Sequence, residues 1–174
     1  MHVFVEGPDD VRLLGVVLKK CYSQYTSKLY KFVNSDSNLV KEHIKILKEK
    51  KEPCILITDM DNYTSITERK KQRSKEYDIE FENVIVVKKS IESWYAAGAP
   101  TSLFQPQGNH SETIDKIKFN QLIGRSSLHT RIMVEISEDF DTGRAVSNNK
   151  SFKYFYRELK NLLKPFENNK NVSE

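Results

Sequence analysis

Histidine and cysteine are too few here, and too scattered, to build a soft-metal site. The four histidines are His2, His43, His110 and His129, and the two cysteines, Cys21 and Cys54, show no metal-ligand spacing. That argues against zinc and for hard, oxygen-bound ions if any metal is used. Both cysteines lie in apolar surroundings, so buried free thiols are expected rather than a disulfide, which suits a cytoplasmic protein. No apolar run approaches the ~20 residues of a membrane span, and no membrane partner is expected. The first residues enter an apolar strand at once, so no signal peptide is expected. Internal repeats and low-complexity tracts are absent.

What is present is a soluble, globular composition. The 174 residues are 38% apolar and 30% charged, which predicts one domain with a real core and at most a small extension. The net charge of +4 is modest but concentrated. "RKKQRSK" (69–75) holds five positive residues and no acid, and Lys88 and Lys89 follow an apolar run. Arg69, Lys70, Lys71, Arg73, Lys75, Lys88 and Lys89 therefore form either a solvated helix face or a phosphate-contacting surface.

Short apolar runs alternate with helical patterns over the first ninety or so residues. "HVFVE" (2–6), "LYKFV" (29–33), "PCILIT" (53–58) and "FENVIVVK" (81–88) read as strands. The helix after the first strand should bury Val11, Leu14, Val17, Leu18 and Cys21. The second should bury Leu39, Val40, Ile44 and Leu47, with His43 on that face or at its margin. A polar helix follows Asn62 and runs to about Tyr77. This βαβαβαβ order predicts an α/β fold, a mainly parallel four-stranded sheet flanked by helices. After Ile91 the pattern turns helical: "ESWYAAG", "TIDKIKFNQLIG", "SSLHTRIMVEISEDF" and "SFKYFYRELKNLLKPF", with a Pro-containing loop near residues 99–113.

Sheets of this kind bind ligands beyond the carboxyl ends of their strands, and the acids gather there. Glu6 closes the first strand in "VFVEG", and Asp59 and Asp61 close the third in "ITDMDN". Residues i and i+2 on an extended segment point the same way, so both aspartates are expected to face one site. Asp10 lies one helical turn beyond Glu6, and Glu92 follows the fourth strand. Each acid also has a structural explanation. Asp9 and Asp10 suit a helix first turn, as does Glu92 behind Ser90, and Asp59 or Asp61 suits a cap. As a set, crowded carboxylates call for a hard divalent cation, one or two Mg2+ or Mn2+ ions.

The combination "VEGPDD … LITDMDN … KSIESWYAAG" resembles the TOPRIM domain of topoisomerases, primases and related nucleases. It is most similar to nucleases of the overcoming-lysogenization-defect type, which act in phage defence, and to their small stand-alone relatives. The resemblance covers roughly residues 2–98 well and the rest loosely. It implies a Rossmann-like TOPRIM core over 1–98, a helical extension over 99–166 and a flexible tail over 167–174. The family's Glu-x-x-x-Asp falls on Glu6 and Asp10, its Asp-x-Asp on Asp59 and Asp61, and its later acid on Glu92, with Ser90 as a second candidate. Its catalytic lysine has no motif to mark it; Lys150 and Lys153 are the candidates.

The implied activity is metal-dependent hydrolysis of phosphodiester bonds in DNA or RNA. Glu6, Asp10, Asp59, Asp61 and Glu92 would hold metal, and Glu6 has a second option as general acid or base. A proton-transferring carboxyl needs a raised pKa, which crowding supplies. The chain lacks a G-x-x-x-x-G-K-[ST] loop, so the ATPase half of the large defence nucleases is missing, and an ATPase stays open as a partner. No tyrosine can be assigned as a topoisomerase nucleophile. The alternatives are an RNA-maturing ribonuclease, a non-catalytic module that binds nucleic acid or a partner ATPase, and a phosphatase for small phosphates. Tyr95, Phe104, Tyr154 and Phe155 either stack bases or fill the core. The oligomeric state is left open, with a dimer among the options.

Overall fold

The computed structural model describes residues 1–33, 35–103, 108–123 and 129–168. Strand β1 (His2–Val5) is buried along its whole length, as are β3 (Cys54–Asp59) up to its last residue and β4 (Val84–Val87). Strand β2 (Lys28–Lys31) is half-exposed at one edge. All pairings are parallel, in the order β2-β1-β3-β4. Runs apolar on both faces need cover on both faces, and two clusters provide it. Val3, Val5, Ile55, Ile57, Ile85 and Val87 face one cluster, and Phe4, Leu56, Val84 and Val86 face the other.

Helix α1 (Pro8–Cys21) covers the first face with Leu13, Leu14, Val17 and Leu18. Pro8 opens it, where a missing N–H costs nothing, and the Gly7 N–H donates to Asp10 Oδ2 at 2.9 Å. Helix α2 (Ser37–Glu49) covers the second face with Val40, Ile44 and Leu47 and is capped by Asp36, which accepts from the Asn38 N–H at 2.8 Å. Helix α3 (Ile66–Tyr77) lies on that same face through Tyr77 and is capped by Ser65. The chain therefore passes from β1 to β2 over one face and returns beneath the other, as right-handed crossovers require.

The C-terminal half consists of α4 (Glu92–Gly98), α5 (Lys116–Leu122), α6 (His129–Glu138), α7 (Thr142–Asn148) and α8 (Lys150–Asn168). These helices join α1 on the first face, in one continuous apolar cluster. Helix α4 is buried throughout. Its Trp94 packs on Phe152 and Phe155 at ring separations of 5.2 and 5.0 Å, and its indole N–H donates to Ser151 Oγ at 2.8 Å. Tyr95 and Phe155 are fully buried and belong to the core. Both cysteines are free. No helix among the described residues is long and apolar enough to cross a membrane.

The parallel sheet with flanking helices matches the sequence expectation, and several boundaries differ. Strand β2 stops at Lys31, although Phe32 still donates its N–H to Val5 O at 2.9 Å. Helix α3 begins at Ile66 rather than after Asn62, because Ser65 supplies the cap. Leu39, expected inside, is 65% exposed, since the buried stripe of α2 runs through Val40, Ile44 and Leu47. His43 sits at the margin, edge-on to Tyr30 at 4.6 Å. Helix α7 was not expected from the sequence. Helix α8 reaches Asn168, beyond the expected start of the tail, and residues 169–174 and Phe104 lie outside the described residues.

Gly98 closes α4 against the Phe140 ring, and a Cβ there would lie 2.3–2.7 Å from three ring carbons. Gly98→Ala should lower the unfolding free energy by about 1–3 kcal/mol through overpacking. Gly15→Ala, whose Cβ would meet only Leu29 Cδ1 at 3.7 Å, should instead raise it by up to about 1 kcal/mol through helix propensity. Urea titration of the two variants beside the wild type checks the pair, and equal midpoints would contradict this packing.

Candidate functional site

Strands β1 and β3 are neighbours, but their connections leave in opposite directions, to β2 and to β4. A crevice must open between their carboxyl ends, and ligands bind at such switch points. Glu6 follows β1 directly and Asp59 is the last residue of β3. A cleft of about 310 Å3 opens there, lined by Glu6, Asp10, Asp59, Ser90, Glu92 and Lys116 among others.

Strand alternation splits these acids between the two faces. Asp59 continues the line of Ile55 and Ile57 and points toward α1 and α4. There it meets Asp10, in the first turn of α1, and Glu92, the buried first residue of α4. Glu6 and Thr58 continue the lines of Phe4 and Leu56 and point toward α3. Asp59 Oδ1 is buried without a hydrogen-bond partner, and so is Ser90 Oγ in the same cleft. Burial, with Asp10, Glu6, Glu92 and Asp61 adding negative charge, pushes the Asp59 carboxyl up to about 9. Burial likewise pushes Asp10 up to about 7, against the hydrogen bond from Gly7, with Glu6 and Glu92 adding to the rise. Glu92 Oε1 has His129 Nε2 at 3.8 Å, too far for a hydrogen bond.

The other half of the expected acidic set is neutralised by the chain itself. Strand β3 ends at Asp59, and Asp61 has φ 47°, so the extended geometry that would align the two aspartates is absent. Asp61 turns away and pairs with the Arg69 guanidinium. Arg69, expected on an exposed surface, is 4% exposed. Its Nη2 donates to Thr58 Oγ1 at 2.9 Å and to Glu6 Oε1 at 3.4 Å, and its Nε to the Asp59 carbonyl at 2.9 Å. Arg73 donates to Glu6 Oε1 at 3.2 Å and to Thr58 Oγ1 at 3.2 Å, and the Thr58 hydroxyl donates to Glu6 Oε1. Lys70 is also buried. The outward-facing expectation therefore fails for Arg69, Lys70 and Arg73. Arg69, Arg73 and Tyr77 fall on one face of α3 at four-residue intervals, which turns both arginines inward, Arg73 to 5.8 Å from the Tyr77 ring centre and Arg69 onto the Tyr63 ring.

Of the remaining basic candidates, Lys71, Lys75, Lys88 and Lys89 are exposed, and Lys88 Nζ lies 3.4 Å from Glu112 Oε2. Lys89 takes φ 75° where the chain turns from β4 into α4, a second left-handed backbone position flanking the cleft. Lys150 lines a separate cavity, and Lys153 is exposed. The lysine on the acidic cleft is Lys116, which no motif marked. Thr58 was also missed, although its place two residues beyond Leu56 in the register fixes it opposite Glu6. As the side chains stand, no three described His, Cys, Asp or Glu residues form a group that would hold a metal ion, with Asp61 and Glu6 drawn to arginines. The carboxyl and hydroxyl donors that line the cleft offer oxygens, and the unpartnered Asp59 Oδ1 and Ser90 Oγ suit a hard cation, while the also unpartnered ring nitrogen His129 Nε2 stands beside Glu92. Comparison of the chain with family models, with curated proteins and with solved structures gave no match.

An acid with a raised folded-state pKa holds its proton more tightly when folded. The stability this confers is complete below the ordinary carboxyl range and is lost as pH rises toward the folded values. Those values are about 7 for Asp10 and about 9 for Asp59. In chelator, the unfolding free energy should therefore fall by about 1 kcal/mol per pH unit per group between about pH 5 and 7. Asp59→Asn should flatten that slope and exceed the wild type at about pH 8. Urea titrations across this range give the measurement, and parallel curves for the two proteins would refute the assignment.

Proposed function

We propose that the chain is a Mg2+- or Mn2+-dependent nuclease of the TOPRIM type that hydrolyses phosphodiester bonds of DNA or RNA. The observation that carries this reading is the pair of unpartnered buried oxygens, Asp59 Oδ1 and Ser90 Oγ, in a cleft shared with Asp10 and Glu92. Asp59, Asp10 and Glu92 would hold the ion. A bound ion there supplies neutralising charge, a more acidic water and stabilisation of the leaving oxygen.

The rest of the work falls to the chain. Thr58, Arg69 and Arg73 all bond Glu6 at Oε1 and fix its carboxylate at the lip of the cleft. Oε2 is then the oxygen available to orient an attacking water and take its proton. Lys116 stands on the cleft wall, and exposed Lys88 and Lys89 follow β4, whose Val87 pairs with Asp59. These side chains suit contact with the phosphates of a bound strand, a contact that positions without reading sequence.

One observation favours a second reading. Arg69 already neutralises Asp61 and, with Arg73, Glu6, without any ion. A self-neutralised module that binds nucleic acid or a partner ATPase would need no more than that.

Incubation with supercoiled plasmid and with single-stranded RNA, in Mn2+, Mg2+ or EDTA, separates the two readings. We expect cleavage with either ion and none in EDTA, with Glu6→Gln about 10²–10⁴-fold slower and Asp59→Asn inactive. Mn2+ should also raise the melting temperature of the wild type and not of Asp59→Asn. Nucleic-acid binding that survives EDTA without turnover would support the module instead.

A further inference from the structure

A second cavity, of about 490 Å3, lies along the β4 edge. Its size falls within the range of about 300–1,000 Å3 usual for small-molecule sites. Ile66 and Lys70 of α3, Phe81, Val86 and Lys88 on β4 and just beyond it, Glu112, and Lys150 and Tyr154 of α8 line it. Lys88 directly follows Val87, the register partner of Asp59, so the cavity and the acidic cleft are neighbours across the end of β4.

The charge in this cavity is unbalanced. Glu112 is the one acid among the described lining residues, and both of its oxygens are engaged. Oε1 accepts the Lys150 backbone N–H at 2.7 Å, and Oε2 faces Lys88 Nζ at 3.4 Å. The ammonium groups of Lys70 and Lys150 have no carboxylate partner among the described ion pairs. Lys70 is 5% exposed. Its Nζ donates to the Tyr154 hydroxyl at 3.2 Å and lies 4.4 Å from the Phe81 ring centre and 5.5 Å from that of Tyr154. Cation–π contact offsets part of the desolvation of a buried ammonium, but an anion would offset more. Tyr154 also carries Arg157 Cζ at 5.1 Å from its ring centre, so Phe81 with Ile66 and Val86 is the apolar surface that suits a flat ring.

We propose that this cavity binds one nucleotide unit, with its phosphate on Lys70 and Lys150 and its base against the aromatic and apolar wall of Phe81, Ile66 and Val86. An inorganic anion or an acidic peptide would use the lysines and leave the aromatic wall uncovered; a nucleotide uses both. The unit is either a free nucleotide or one residue of a single strand. The inference does not depend on catalysis in the acidic cleft.

Calorimetric titration of the full chain in EDTA tests it, with AMP, a single-stranded tetranucleotide and inorganic phosphate as titrants. We expect saturable binding of AMP at one per chain, with phosphate at least about tenfold weaker. Lys150→Ala and Lys70→Met should each weaken AMP by about 10–100-fold, the loss of a charge-assisted contact. Asp59→Asn should bind AMP as the wild type does, so a failed nuclease assay leaves this result standing. A tetranucleotide much tighter than AMP would identify a strand as the source, and equal affinities a free nucleotide; both support the site. Lys150 is exposed, so Lys150→Ala decides the matter even if Lys70→Met does not fold. The proposal is overturned by an absence of saturation by AMP and tetranucleotide at about 10 mM, by wild-type AMP affinity in Lys150→Ala, by phosphate as tight as AMP, or by loss of AMP binding in Asp59→Asn.

Discussion

Arg69 joins the two sides of the strand-end crevice, and the charge balance of the whole region depends on it. Its guanidinium is buried against Asp61, Glu6, Thr58 and the Asp59 carbonyl, with the Tyr63 ring 5.0 Å away. A buried guanidinium is tolerable only when its donors are met, and here they are met by strand ends and acids together. The same anchoring limits its reach. Arg69 touches the backbone carbonyl of Asp59, not the carboxylate, which points to the opposite face of the sheet. The acids are thereby divided into a neutralised group around Glu6 and Asp61 and an unneutralised group around Asp59, Asp10 and Glu92.

That division explains what the sequence could and could not convey. The βαβ order was legible because β1, β3 and β4 are uninterrupted apolar runs bounded by Gly7, Pro53 and polar turns. The meeting of Glu6, Asp10, Asp59 and Glu92 was legible too, since parallel strands deliver their carboxyl ends to one rim. The alignment of Asp59 with Asp61 was not, because it assumed two more residues of strand than the backbone forms. The charge density of "RKKQRSK" suggests a surface, while its helical phase turns part of the run inward. The phase turns Arg69 and Arg73 inward on the Tyr77 side of the helix, with Arg73 over the Tyr77 ring, and leaves Lys71 and Lys75 outside. Helix α7 had almost no apolar signature, with Ala145 its one buried residue, and is held instead by the Asp141 cap.

The C-terminal helices matter to the site more than a division at residue 98 suggests. Glu92 is presented by α4, and α4 is fixed by Phe140, Phe152 and Phe155, by Trp94 on Ser151, and by Asn149 Nδ2 on the Ser93 carbonyl at 3.3 Å. Tyr95 hydroxyl donates to the Asp9 carbonyl at 2.8 Å, tying α4 to the first turn of α1 beside Asp10. Glu92 therefore owes its place to packing supplied by residues beyond Gly98, and the turn that carries Asp10 is tied to it through Tyr95. A chain cut after α4 would keep the strand ends and lose the wall that holds Glu92 against them.

In the proposed function, protons and divalent cations would compete for the same carboxyl oxygens around Asp59. A carboxyl pushed up to about 9 in a crevice measures the work of placing a negative charge there, and a bound cation reduces that work directly. Arg69 cannot supply it, being held on the other face by Thr58 and the Asp59 carbonyl. On the proposed metal-dependent reading, an ion at Asp59 would displace the proton that burial holds there, so its binding would release protons and tighten as pH rises. Burial on the far side of the sheet from Arg69 thus favours the protonated form of this strand-end carboxyl, and the proposed cation would act by replacing that proton.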